Sequence, residues 1–179
     1  MSKIEHMTEE ELTHALCYAG FILLAFELVK SLIINPIKAF YTNTTFGVGL
    51  PFKSYEEDVI SRHKDQFEAC LLYLRDFMKA IDSQDLLAIQ MLRKHRNELS
   101  HELPSKLHDL RIQYYVSLLN KVNTALFKLS NYRVYMEIGS DPEFQNRGID
   151  WNEIVGPEYL LFKNILNRVK ALQWDIKNA

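Results

Sequence analysis

ALCYAGFILLAFELVKSLII, residues 15–34, decides the fold. The run is nearly all apolar and approaches the length of a bilayer span. Two charges, Glu27 and Lys30, interrupt it, and the residues before it lack the basic region of a signal peptide. The segment therefore reads as the core helix of a cytoplasmic protein with no membrane association. Thr8 and Glu11 have the capping-box spacing that opens such a helix, and Pro36 is expected to stop it, giving a helix over about 9–34.

Outward from this helix the chain continues in the same style. Residues 41–53, YTNTTFGVGLPFK, read as an irregular loop. Ser54 and Glu57 repeat the capping-box spacing ahead of a helix to about Ile81, with Val59, Ile60, Phe67, Leu71, Leu74 and Met78 at helical intervals. A third helix starts near Ser83 and should end close to His101, because Pro104 disfavours helical geometry at Leu103. A fourth runs from Ser105 to about Tyr135, and Pro157 opens a last one to about Ile176. The expectation is an all-α, antiparallel bundle of about five helices. It forms a single domain over 1–179, with a core at about 8–136 and a C-terminal helical extension at about 138–179. The chain has 179 residues, 47% of them hydrophobic and 25% charged, which suits a globular domain able to bury a sizeable core. Its net charge of −2 gives no overall attraction for nucleic acid, so any such contact must be local. Cys17 and Cys70 read as small buried hydrophobes, not as a disulfide framework.

The least structural-looking stretch is RKHRNELSHELP, residues 93–104. A helix turns by about 100° per residue, so Asn97 and His101 project on nearly the same side and Arg96 on an adjacent one. Arg96 offers a planar, permanently charged fork that suits a phosphate. An imidazole can exchange a proton with a ribose hydroxyl or a leaving oxygen, and Asn97 is spaced to fix its tautomer. Together these are the parts for metal-free cleavage of a phosphodiester.

The stretch RNELSH at 96–101, in an all-helical setting, resembles the signature of the HEPN superfamily: Arg, four to six residues, then His, often with Asn after the Arg. The resemblance implies a HEPN-like fold over about 8–136 and a metal-independent endoribonuclease of the toxin or antiviral-defence kind. Such a protein would work as a homodimer on RNA, without a cofactor, under the control of a cognate antitoxin or regulatory protein. It makes Arg96 and His101 catalytic and Asn97 supporting. Members also exist that only bind nucleotides, RNA or proteins, so a non-catalytic dimeric scaffold stands as the alternative.

Other residues have weaker claims. Glu27 and Lys30 either pair with each other at one-turn spacing or reach the cleft beside His101. His95 and His108 read as solvated helix or turn residues that could also help hold RNA. Arg93, Lys94, Lys106, His108 and Arg111 form either a solvated helix face or an RNA-binding patch. The pairs Glu11/His14 and Glu98/His101 have the spacing of di-metal carboxylate bundles. The inward glutamates such a site needs on the other helices are missing, so no metal is expected.

Overall fold

In the computed structural model, residues 6–45, 47, 49–110, 115–139, 141–145 and 147–177 are described. Among them there are only helices and connecting turns: α1 Glu9–Asn43, α2 Tyr55–Asp58, α3 Gln66–Asp76, α4 Ser83–Lys106, α5 Val116–Ile138, α6 Pro142–Gln145 and α7 Pro157–Lys177. Single 3₁₀ turns occupy Ile60–Arg62 and Leu107–Asp109. The expected all-α bundle is therefore present, with five long helices and two of four residues.

α1 is the central element and packs against α3, α4, α5 and α7. It begins as its sequence predicts. The Thr8 hydroxyl accepts from the Glu11 amide at 3.1 Å, and the Thr8 amide donates to the Glu11 carboxylate at 3.0 Å. It does not stop at Pro36 but continues through it to Asn43. Burial outweighs the missing hydrogen bond, because Ile33 and Ile37 are both in the core on either side of the proline. By length and hydropathy α1 would also pass as a membrane span, yet 56% of its most apolar window is buried inside the protein.

The expected helix over 54–81 is broken in two. Ser54 caps α2, and Asp65, accepting from the Glu68 amide at 3.1 Å, caps α3 afresh after the 3₁₀ turn. The chain after Pro104 also departs from expectation: it forms a 3₁₀ turn and an extended Leu110, and α5 starts at Val116 rather than at Ser105. α4 and α5 are antiparallel, since Asp85 near the start of α4 meets Lys128 late in α5 and His95 meets Tyr115. α5 and α7 are antiparallel as well, joined at Arg133 to Glu158 and at Asn120 to Lys170. α7 places Tyr159, Phe162, Leu166 and Val169 in the same core as α1.

Candidate functional site

α4 carries the motif, and its local sequence explains its shape. Asp82 caps it, accepting from the amides of Gln84 at 2.8 Å and Asp85 at 3.0 Å, while the Asp82 amide donates to the Asp85 carboxylate at 3.0 Å. Leu86, Ile89, Leu92, His95 and Leu99 turn inward. Asn97 and His101, four apart, are left exposed on the outer side. Regular geometry ends after His101: Glu102 has φ −123° and ψ 15°, and one further turn follows. Pro104 is the cause, having no N–H for the Ser100 carbonyl and a ring that crowds the preceding turn. Lys106 braces the break, with Nζ 3.3 Å from both Glu98 and Glu102.

A cleft of about 330 Å³ lies between α1, the start of α3 and α4, and it is lined by Glu27, Lys30, Asp65, Arg93, Arg96 and Asn97, with Phe26 and Phe67 among its walls. Arg96 Nη2 is 3.5 Å from Glu27 Oε1, and Nη1 donates to Asn97 Oδ1 at 3.2 Å. The guanidinium sits 5.5 Å over the Phe26 ring, and its Nε is buried with no hydrogen-bond partner among the described residues. Arg93 repeats this design on the other wall, 5.3 Å over Phe67, but it is held by Asp65 at 3.0 and 3.2 Å and by Glu68 at 3.0 Å. Its hydrogen bonds keep the Asp65 carboxyl below the usual range. The two phenylalanines touch at 5.4 Å, so two arginine–aromatic stacks flank the cleft.

The cleft thus gathers Arg96, Asn97, Glu27 and Lys30 but not His101, which is exposed one turn further along and does not line it. Among the described residues Asn97 makes no hydrogen bond to His101, its carbonyl oxygen being taken by Arg96. The expected Glu27 to Lys30 pair is also replaced: Glu27 pairs with Arg96, and Lys30 has no ion pair among the described residues. Phe26, Asp65 and Phe67 were not anticipated from the sequence. Phe26 was signalled only by its place beside Glu27, while Asp65 and Phe67 come from a distant segment and gave no local signal.

His95 corrects the expectation of a solvated residue. It is 6% exposed, stacks on Tyr115 at 3.9 Å between ring centres, and has Nε2 3.1 Å from the Tyr18 hydroxyl. Burial pushes its pKa down from 6.5 to about 4, with Glu98 opposing the shift. Its folded-state value lies below its unfolded-state value, so its contribution is fully present above pH 6.5 and is lost as the pH falls towards 4. The melting temperature should drop across that window, and much less so in His95→Phe. Parallel pH profiles for the two proteins would remove His95 as the cause.

The proposed basic patch is largely internally paired. Arg93 is neutralised in the cleft wall, Lys106 spans two glutamates, and His108 Nε2 lies 2.8 Å from Asp109. Lys94 is exposed with no ion pair among the described residues, and Arg111 lies outside them. Cys17 is exposed rather than buried, whereas Cys70 is buried. Among the described residues no cluster of His, Cys, Asp or Glu has the arrangement of a metal site, and Glu11 is occupied in the cap of α1.

The class defined by fold and site is an all-helical protein with an arginine-flanked polar cleft. No family model, curated protein or solved structure matches the chain.

Proposed function

We propose that the chain is a metal-independent endoribonuclease of the HEPN type, acting in the cytoplasm as a symmetric dimer. The observation that carries this reading is the convergence of Arg96, Asn97 and Lys30 on one polar cleft, with His101 exposed one turn beyond Asn97. Arg96 and Lys30 would take the non-bridging oxygens of a phosphodiester, with Glu27 giving up its place on the guanidinium. The His101 imidazole would accept the ribose 2′-hydroxyl proton as that oxygen attacks phosphorus. The 5′-oxygen then leaves and is protonated, so the products are a 2′,3′-cyclic phosphate and a 5′-hydroxyl.

Two proton transfers need two groups, and the motif has one histidine per chain. A two-fold axis beside α4 would bring a second His101 to the same phosphate. Suitable surface exists nearby: Leu16, Leu23 and Leu24 are exposed on the face of α1 that leads to Glu27, and Leu87 and Met91 are exposed on α4 before the motif. A protein with this activity would need restraint, for which a cognate antitoxin or regulatory protein is the natural partner.

The experiment is to incubate the protein with RNA in excess EDTA and read the fragment ends by mass spectrometry. Cyclic phosphate ends formed under chelation support the proposal. Cleavage that stops in EDTA and returns with magnesium removes Arg96 from its role. Intact RNA at micromolar protein favours the second reading, a non-catalytic binding or scaffold module. That reading has its own support, since Glu27 already occupies Arg96 and Asn97 does not orient His101.

A further inference from the structure

An apolar hollow lies away from the motif. A cavity of about 470 Å³ lies between the C-terminal part of α1, α3 and α5, lined by Leu32, Pro36, Leu74, Met78, Tyr132 and Met136 among others. Its size and apolar walls are those of a small-molecule site. One polar group in its lining is unusual. Tyr132 is half-buried and makes no hydrogen bond among the described residues. Burial raises its pKa to about 12, which keeps the hydroxyl protonated at neutral pH.

The rim is not a carboxylate receptor. Arg133, its cation, donates to Glu137 at 2.8 Å and to Glu158 at 2.6 Å, which leaves one positive charge against two negative ones. An anionic head group would meet net negative charge, whereas a neutral hydroxyl would find in the Tyr132 hydroxyl a group that can donate or accept.

We propose that this cavity binds a neutral, hydroxyl-bearing amphiphile with a short alkyl body, its tail against Leu74, Met78 and Met136 and its hydroxyl on that of Tyr132. The site is independent of the chemistry at Arg96. The chain has five methionines, of which Met78 and Met136 line the cavity, so their methyl groups report occupancy. The intact protein labelled with ¹³C-methyl methionine is titrated with 1-octanol and, separately, with octanoate. Saturable shifts of Met78 and Met136 with octanol, and at least about tenfold weaker binding of octanoate, are expected. Tyr132→Phe should weaken octanol by about fivefold to tenfold. Ala39→Trp, at an exposed lining position that a larger ring can fill without entering the core, should abolish the shifts. The proposal is overturned if octanol gives no saturable shift, if octanoate binds as well, if Tyr132→Phe binds octanol unchanged, or if the shifts persist in Ala39→Trp.

Discussion

His101→Ala should lower RNA cleavage by about 10²- to 10⁴-fold, the usual worth of a positioned proton-transfer group, while leaving the fold intact. The second half of that expectation follows from exposure: the residue is exposed and its side chain has no hydrogen bond among the described residues, so its loss should change stability by less than about 0.5 kcal/mol. Arg96→Ala should fail as completely, and Arg96→Lys with it, because an ammonium can neither replace the planar fork nor keep the stack on Phe26. Asn97→Ala should be milder, since Asn97 holds the guanidinium and not the imidazole. Mixing inactive His101→Ala chains with inactive Arg96→Ala chains then tests the dimer. Partial recovery means each cleft takes its Arg and His from different chains, and a silent mixture means two intact motifs are needed. A monomer that still cuts RNA would falsify the shared cleft.

The largest stability effect is expected in α7. Phe162 is fully buried and meets Phe21 of α1 at 5.8 Å, while Tyr159 contacts Phe127 of α5 at 5.6 Å. Phe162→Ala should therefore destabilise the whole protein by about 3–5 kcal/mol, the range for a large aromatic removed from a core. Urea unfolding should remain a single transition with an earlier midpoint. A loss below about 1 kcal/mol, or a separate early transition confined to α7, would mean that the last helix is an appendage and not part of the core.

How much of this was legible beforehand depends on how local each signal is. The cap of α1, the start of α4 at Ser83 and the start of α7 at Pro157 were readable because such signals are decided within about four residues. The continuation of α1 through Pro36 was not, because it rests on burial of Ile33 and Ile37 against distant helices. The break before α3 was also hidden, since Asp65 both caps that helix and binds Arg93, and the second role is invisible in sequence order. At the candidate site, the spacing of Arg96, Asn97 and His101 placed them on α4 but could not say which neighbours they choose. Glu27 in place of Lys30 as the paired residue, and Asn97 facing Arg96 in place of His101, are outcomes of how α1 lies against α4. His95 misled because its flanking charges suggested water, while one turn of helix carried it under Tyr115.

The break at Glu102 puts the two ends of the motif on unequal footing. Arg96 belongs to a span of α4 pinned by the buried Leu92, His95 and Leu99, whereas His101 is the final residue before the helix loses its regular path. Among the described residues the ion pairs that tie the segment beyond to the shaft before it are those of the Lys106 ammonium, with two partly exposed carboxylates. Such a tie is screened by salt, over a distance of about 3 Å at 1 M ionic strength. A phosphate bound on the proposed reading would thus meet one partner on the regular shaft and one at its last turn, beside ion pairs that added salt weakens.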